Sequence, residues 1–256
     1  LEIMGRRAGW SVVVALIGNG QEINTGEAGL AEWGRVLEAR GDWRAVAAPA
    51  VQGGPPRPQR LAAAPRPWLS LDADLHLDAS MRAVQEPRAA EWVDAVLRGA
   101  AGEAGAIAAG CALPFFLTRG LGAMRAALRH LARGNRRAGL VRAAGARRLR
   151  AEGLAAAVTA DEVPNWFLND WPDSRSSAAL EAAATEYACQ GLELDVVGMA
   201  WGGDLVRDGA IWRPRRFSGD AWQVVGKDEV RAFIVNKYRV LLTRAAEDAG
   251  ATAERL

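Results

Sequence analysis

Residues 184–201, ATEYACQGLELDVVGMAW, place two strand-like apolar segments on either side of the polar turn QGLE. The sequence on both sides continues an alternation of strands and helices, and residues 228–250 have the apolar spacing of a long helix. Strands that alternate with helices indicate an α/β fold, a parallel sheet flanked by helices. The predicted upstream elements are a helix at 86–99, a strand at 113–118, a helix at 120–133, a strand at 138–144 and a helix at 145–153.

The N-terminal part begins with an unbroken apolar run, residues 12–17, which predicts a strand covered on both faces. A glycine-rich turn ends this run, and Gln21 follows at the carboxyl end, where ligands of open α/β sheets bind. A helix is predicted within 26–42 from its apolar spacing. Residues 48–68 are rich in Pro, Gly and Ala and therefore mark a linker or long loop, the predicted domain boundary.

Composition excludes several classes of protein. Half of the 256 residues are hydrophobic, so the chain can build a core. Its apolar runs are far shorter than the ~18–20 residues of a membrane span, so no membrane association is expected. Two cysteines and two histidines provide neither a disulfide framework nor a zinc set. We therefore expect a cytoplasmic, metal-free protein.

Nearly all positive charge is arginine, since lysine occurs only at Lys227 and Lys237. A high-GC genome explains such a bias, but arginine also grips phosphates through a planar fork. Seven arginines fall within residues 133–150, and the candidate nucleic-acid contacts among them are Arg136, Arg137, Arg147 and Arg148. The alternative is a solvated helix face. Residues 211–223, IWRPRRFSGDAWQ, fit a stacking platform for bases, but a twisted hairpin with its aromatic residues packed inward is favoured.

Catalytic motifs that an α/β protein often carries are missing from the sequence. It holds no G-x-x-x-x-G-K-[ST], which excludes a complete P-loop ATPase on this chain. The pair Gly18 and Gly20 lacks the third glycine of a dinucleotide fingerprint, because Ile23 stands there. No G-x-S-x-G elbow exists, and two histidines leave a hydrolase triad little to draw on.

Several apolar segments are each followed by a polar residue. The stretches of sequence around these residues resemble the motifs of a known family. The stretches VVVALIGNGQEINTGEAGLAEW, ATEYACQGLELDVVGMAWGGDL and NKYRVLLTRA look like the bacterial Schlafen group 3-like DNA/RNA helicase domain, a superfamily 1-type ATPase. The resemblance runs from about residue 12 to residue 245. It implies RecA-like parallel sheets of the P-loop NTPase superfamily, with the tail of a first lobe at 1–47, a linker at 48–70 and a second lobe at 71–256.

In this family ATP and Mg²⁺ bind between two RecA-like lobes, and the resemblance implies residues that act on the γ-phosphate. Gln21 would be the motif III glutamine that senses it, and Arg82 the motif IV arginine that reaches it. Arg244, in LLTRA, resembles the motif VI arginine finger. Phosphoryl transfer spreads negative charge over the γ-phosphate oxygens, and an arginine positioned there is worth roughly 10³–10⁵ in rate.

The QGLE turn would hold the nucleotide itself. Glu193 resembles the motif V glutamate that contacts the nucleotide sugar, and Gln190 and Gly191 would form the turn beside it. Because the P-loop and acidic motif II precede motif III in the family, we expect a fragment that binds neither ATP nor Mg²⁺ alone. Its expected partners are a P-loop lobe and single-stranded DNA or RNA.

The expected function is thus the C-terminal part of a helicase-like, nucleotide-binding hydrolase, inactive by itself. Two departures from the family pattern keep other interpretations open. Arg82 is followed by Ala83 in place of a serine-like residue, and Ala246 and a polar tail follow LLTRA. The alternatives are a non-catalytic, arginine-rich module that binds nucleic acid or protein, and a degraded gene product without function.

Overall fold

The computed structural model describes residues 1–17, 29–52, 60–77, 88–154 and 156–244. They form two compact units, Leu1–Leu77 and Asp78–Leu256. Both are α/β in character, with short parallel sheets and helices packed on them. Within the described ranges, no helix combines the length and the apolar character needed to cross a bilayer.

The first unit is built around one helix, α1 (Gly29–Ala39), and a parallel pair of strands, β1 (Ala45–Ala47) and β2 (Leu69–Leu71). Leu30 and Leu37 are buried on one face of α1, which confirms the predicted helix. Gly34 lies on the same face, where a Cβ would come within 1.9 Å of the Leu61 carbonyl oxygen. Only glycine therefore allows α1 to approach the predicted linker this closely.

The unit differs from the sequence predictions at two places. The strand predicted over residues 12–17 is wrong, because no described strand pairs with this segment and Val14 is 83% exposed. An apolar run becomes a buried strand only where a neighbouring ladder accepts its backbone groups. The predicted linker also contributes to a core, since Leu61 is buried and Trp68 packs against the same cluster. The compact unit thus extends past the predicted linker to Leu77.

The second unit contains a four-stranded parallel sheet, which confirms the predicted sheet type. Its spatial order is β4-β5-β3-β6, and β3 is buried at every residue, as a central parallel strand covered on both faces should be. Leu140 of β3 pairs with Ala183 on one side and Gly198 on the other. The strands are β3 (Ala138–Arg142), β4 (Ala156–Ala157), β5 (Ala182–Ala184) and β6 (Val196–Ala200).

Helices cover both faces of this sheet. Consecutive residues of β3 point to opposite faces, so Leu140 packs with Leu128 of one helix and Val141 with Val93 and Tyr238 of two others. The helices are α2 (Arg88–Arg98), α3 (Ala101–Gly110), α4 (Leu121–Leu131), α5 (Val163–Leu168) and α6 (Asp228–Leu242). The predicted helices at 86–99, 120–133 and 228–250 are confirmed within their described residues.

An antiparallel three-stranded sheet follows the parallel one in the chain. It comprises β7 (Leu205–Asp208), β8 (Ile211–Ser218) and β9 (Ala221–Val224), in that spatial order. Strands β8 and β9 are the hairpin that the sequence favoured for IWRPRRFSGDAWQ.

Three predicted elements of the second unit are corrected. Residues 113–118 form no strand, and Leu117 is 98% exposed. The helix predicted at 145–153 is a 3₁₀-helix, Arg147–Glu152. The strand predicted over 184–190 ends at Ala184, and the residues after it turn away from the sheet. Residues 113–118 are apolar, but no described strand accepts their backbone hydrogen bonds.

Candidate functional site

The loops that follow β3, β5 and β6 meet at one edge of the sheet, because the carboxyl ends of parallel strands lie together. Two carboxylates from these loops are almost completely buried: Glu186, two residues after β5, and Asp204, four residues after β6. Buried carboxylates are costly unless they are paired or hydrogen-bonded. We define these two residues, with Arg142, Lys237 and Tyr238, as the edge cluster.

Glu186 ties three elements together. One carboxylate oxygen accepts a hydrogen bond from the Ala144 backbone N–H at 2.8 Å, just after β3. The other lies 2.8 Å from the ammonium nitrogen of Lys237 on α6. Burial alone would lower the pKa of Lys237, but the charge of Glu186 and the hydrogen bond to it raise the pKa instead. The pair therefore remains ionic inside the protein.

Asp204 holds the other end of the edge cluster. The Tyr238 hydroxyl donates to its carboxylate at 2.6 Å and accepts a hydrogen bond from the Gly202 N–H at 3.2 Å. Burial raises the pKa of Asp204, and the hydrogen bond from Tyr238 offsets part of that rise. Burial and then the charge of Asp204 raise the pKa of Tyr238. The tyrosine is thus a fixed donor in this network.

Glycines allow the loops of this edge to touch. A Cβ on Gly202 would lie 2.2 Å from the Ala146 side chain, and one on Gly145 would lie 2.5 Å from an oxygen of Asp204. Both contacts are shorter than any two such atoms can approach. The loops after β3 and β6 are therefore packed backbone against backbone.

Arg142 is the last residue of β3 and is only 7% exposed. One guanidinium nitrogen donates to the Ala146 carbonyl at 3.2 Å. Burial lowers its pKa, and the charges of Glu186 and Asp204 act in the opposite direction. Within the part of the chain that the structure describes, its Nε has no hydrogen-bond partner. A buried arginine donor thus lies at the edge where a ligand of this sheet would bind.

Arg244, the predicted arginine finger, lies two residues beyond the end of α6 and is 4% exposed. Its Nε donates to the Val240 carbonyl at 3.2 Å. Its charge acts on the thiol of Cys189, the residue before Gln190. Burial raises the pKa of that thiol to about 11, and Arg244 opposes the rise. Cys189 and Leu241 of α6 belong to the same buried cluster, so the helix that precedes Arg244 packs beside the residue before the QGLE turn.

The QGLE turn itself is open to solvent at the residues that the resemblance selects. Gln190, Gly191 and Glu193 are all exposed. Gly191 has φ +80°, a left-handed conformation that favours glycine, so the turn needs this residue. Two other predicted γ-phosphate residues, Gln21 and Arg82, lie outside the described residues.

The four arginines predicted to contact nucleic acid fall at opposite ends of β3. Arg136 and Arg137 precede the strand, and Arg147 and Arg148 follow it, in the 3₁₀-helix at the carboxyl edge. The Arg137 guanidinium donates to the Phe167 carbonyl, lies 3.7 Å from Asp170 and stacks over the Phe167 ring. Arg147 and Arg148 are exposed, and Arg148 lies over the Phe217 ring. A single cluster in the sequence thus becomes two separate groups.

Sequence reasoning missed the edge cluster, although parts of it lie in the quoted motifs. Glu186 belongs to ATEYACQ and Tyr238 to NKYRVLLTRA. A charged residue inside an apolar strand-like segment was the available signal for Glu186. The described residues contain no group of three His, Cys, Asp or Glu side chains that could hold a metal ion.

These features define a class of protein, an α/β domain whose parallel sheet collects charged groups at its carboxyl edge. Within that class the chain belongs to the Schlafen group 3, DNA/RNA helicase domain family, whose model matches residues 1–249. The resemblance found in the sequence is thereby confirmed, and the chain is a helicase-like domain. No curated protein and no solved structure matches it.

Proposed function

We propose that this chain is the part of a helicase-like, nucleic-acid-dependent ATPase that acts on ATP from the side opposite the P-loop. In this proposal the carboxyl edge of the parallel sheet is the second, RecA-like face of a nucleotide cleft. A P-loop lobe supplies the phosphate cradle and the Mg²⁺ site. Glu193 contacts the nucleotide sugar, and Arg244 stabilises the charge that develops on the γ-phosphate.

The observation that carries this proposal is that the end of α6 and the residue before the QGLE turn share one buried core cluster, which contains both Leu241 and Cys189. Arg244 follows α6 by two residues, and its charge opposes the burial-raised pKa of the Cys189 thiol. This packing supports the proposal that motifs V and VI of the family resemblance serve one nucleotide site. In the structure the Arg244 side chain donates a hydrogen bond to the Val240 carbonyl of the preceding helix. Its guanidinium therefore has to turn outward to reach a phosphate. Nucleotide binding is the step that we expect to draw it out.

A second candidate function is a non-catalytic module that binds nucleic acid or protein through its arginines. The burial of Arg244 favours this candidate, because an arginine finger must be accessible to the γ-phosphate. In that case Arg244 serves only to secure the end of α6 against the turn at Cys189.

The deciding experiment measures ATP hydrolysis by the P-loop-bearing protein that the proposal requires. Arg244→Ala should lower kcat by roughly 10³-fold or more, with a smaller change in KM, since the lost contact forms only in the transition state. Arg231→Ala is the matched control, because Arg231 lies on the same helix, bonds Val225 and pairs with Asp228 near the surface. It should hydrolyse ATP at the normal rate.

A buried arginine can matter for folding, so a second variant keeps the test decisive. Glu193 is exposed, and Glu193→Gln should raise KM for ATP while the thermal unfolding temperature stays unchanged. Normal hydrolysis by a folded Arg244→Ala protein would refute the finger role. An unaltered KM in Glu193→Gln would refute the nucleotide cleft at this edge and leave the non-catalytic module.

A further inference from the structure

The aromatic residues of the β8–β9 hairpin divide into an inward and an outward set. Trp212 packs inward, stacked on Trp201 with ring centroids 5.1 Å apart, and its indole N–H donates to the Val96 carbonyl at 2.6 Å. Phe217 and Trp222 pair across the two strands, with ring centroids 5.2 Å apart in an edge-to-face arrangement. Both of these rings remain half-buried, so part of each faces solvent.

Two arginines extend the outward pair. The guanidinium of Arg148 lies 5.5 Å from the centroid of Phe217, and that of Arg215 lies 5.1 Å from the centroid of Trp222. These four residues form what we call the arginine–aromatic column, with a guanidinium group at each end and two rings between. Planar groups of this kind are those on which unpaired bases stack.

The column is fixed to the loop between β6 and β7. The Nε of Arg215 donates to the Gly203 carbonyl at 2.9 Å, and its backbone N–H donates to the Asp204 carbonyl at 2.7 Å. Trp222 lies so close to Gly203 that a Cβ there would meet its ring at 2.7 Å. The same loop supplies the Asp204 carboxylate to the edge cluster. The column is therefore held rigidly beside the candidate nucleotide edge.

Uncompensated positive charge surrounds the column. On β8, Arg213 is neutralised by an ion pair with Asp208. The 3₁₀-helix that carries Arg148 has two more exposed arginines, Arg147 and Arg150, and the described residues offer none of the three an ion-pair partner. Arginines without carboxylate partners, next to half-exposed rings, suit a ligand that carries both phosphates and flat bases.

We propose that the arginine–aromatic column is a binding site for single-stranded nucleic acid. Bases stack on Phe217, Trp222 and the Arg148 guanidinium, while the backbone phosphates contact the exposed arginines around them. This inference deepens the proposed function and rests on it in one respect, since the shared β6–β7 loop would connect the bound strand to ATP hydrolysis. Binding itself requires no ATP, so the site can be tested separately.

The test uses fluorescence anisotropy of a labelled oligothymidylate of roughly 20 nucleotides, titrated with the chain at about 50 and about 200 mM salt. Phe217→Leu keeps an apolar side chain but removes the ring, and should weaken binding roughly 5- to 100-fold. Arg148→Ala should weaken binding and lower the salt slope by about 0.7. The matched control is Arg129→Ala, an exposed arginine in the last turn of α4, which should bind as the unaltered chain does.

Substitution of a hairpin ring can loosen the hairpin, so the surface variant Arg147→Ser/Arg150→Ser repeats the test without touching the column. It should lower the salt slope by about 1.4 and leave the unfolding temperature unchanged. Binding by Phe217→Leu and Arg148→Ala equal to that of the unaltered chain would overturn the proposal. So would equally strong binding of polyglutamate or of a fully paired duplex, since neither offers unpaired bases; polyglutamate binding would indicate an acidic protein partner. Oligonucleotide binding with normal hydrolysis by Arg244→Ala would instead overturn only the proposed function.

Discussion

The two ends of β3 carry arginines ten positions apart in the sequence, Arg137 and Arg147, but use them differently. At the amino end, Arg137 is engaged within the protein. Its backbone N–H donates to Asp195 at 2.6 Å, and its guanidinium is held by Phe167 and Asp170. At the carboxyl end, Arg147 is exposed and the interior holds the charges of the edge cluster instead.

The difference shows how strand direction distributes function. The carboxyl ends of parallel strands lie at one edge of the sheet, and at this edge the loops after β3, β5 and β6 pack together around Glu186 and Asp204. Their charges are therefore buried, and the arginines that follow β3 remain outside. At the amino end, the carboxylates of Asp195 and Asp170 and the Phe167 carbonyl hold Arg137 at the start of the strand.

Loss of the buried ion pair should have the largest effect. Glu186→Gln leaves the Lys237 ammonium inside the protein without its counter-charge, and breaking a buried pair in this way costs about 3–5 kcal/mol. The matched change at the amino end is Asp195→Asn, which keeps an oxygen to accept the Arg137 N–H and should cost under about 1 kcal/mol. Urea unfolding measures both values. Equal losses at the two ends would contradict the contrast.

A companion variant separates the uncompensated charge from other consequences of the substitution. Adding Lys237→Met to Glu186→Gln removes the unpaired ammonium, so the double variant should recover a large part of the lost stability. If the double variant is less stable than Glu186→Gln alone, the loss comes from the hydrogen bond to Ala144 and not from the ion pair.

The close approach of the loops should give the next largest effect. Gly202→Ala places a methyl group 2.2 Å from Ala146 and should cost about 1–3 kcal/mol through overpacking. The comparison at the amino end is Gly134→Ala, where no atom lies within 4 Å and only φ +69° opposes the side chain. That strain costs about 1 kcal/mol. A smaller loss in Gly202→Ala than in Gly134→Ala, by thermal or urea unfolding, would show that the loops can separate freely.

The helices and the parallel sheet of the second unit were easier to predict from the sequence than its candidate site. Helix α4 was predictable because its apolar residues recur at helical spacing. Strand β3 was predictable because its apolar segment has partner strands on both sides. Residues 113–118 and 12–17 are apolar too, but such a segment forms a strand only if another strand elsewhere in the chain pairs with its backbone. Local pattern contains no information about such partners.

Within the site, motifs located Arg244 and the QGLE turn, and the end of α6 packs in the same buried cluster as Cys189, the residue before that turn. Motifs could not show that Arg244 is buried, since that depends on how α6 packs. Nor could motifs predict that Arg137 and Arg147 lie at opposite ends of a strand, because a local excess of arginine does not show which of its residues form β3. The edge cluster was missed for the same reason. Asp204 and Tyr238 are 34 positions apart and meet only after the sheet has formed.

A smaller, pH-dependent effect should distinguish Asp204 from an exposed carboxylate. Burial raises its folded-state pKa above the ordinary value of 3.8, so the folded protein binds this proton more tightly than the unfolded chain. The stability from this carboxyl is therefore complete below the unfolded pKa and is lost as pH rises through the folded pKa. The amide of Asp204→Asn still accepts the Tyr238 hydrogen bond but does not titrate, so the variant does not lose stability in this way as pH rises. Relative to the unaltered chain, the variant should gain stability as pH rises above the ordinary carboxyl pKa of 3.8, measured by urea unfolding. A relative loss of stability as pH rises would show that the carboxylate is stabilised in its charged form.

The smallest effect concerns single surface arginines and compares the two ends of β3 directly. Arg147→Ala removes one exposed charge at the carboxyl end, and Arg136→Ala removes one half-buried charge at the amino end, immediately before the engaged Arg137. If single-stranded nucleic acid binds only at the carboxyl end, Arg147→Ala should lower the salt slope of oligothymidylate binding by about 0.7, whereas Arg136→Ala should leave it unchanged. Affinity at one salt concentration is a weaker measure, because one phosphate contact changes it little. Equal slopes for the two variants, both below that of the unaltered chain, would show that the arginines at both ends of β3 lie along one bound strand, and the contrast between the ends would then hold for folding alone.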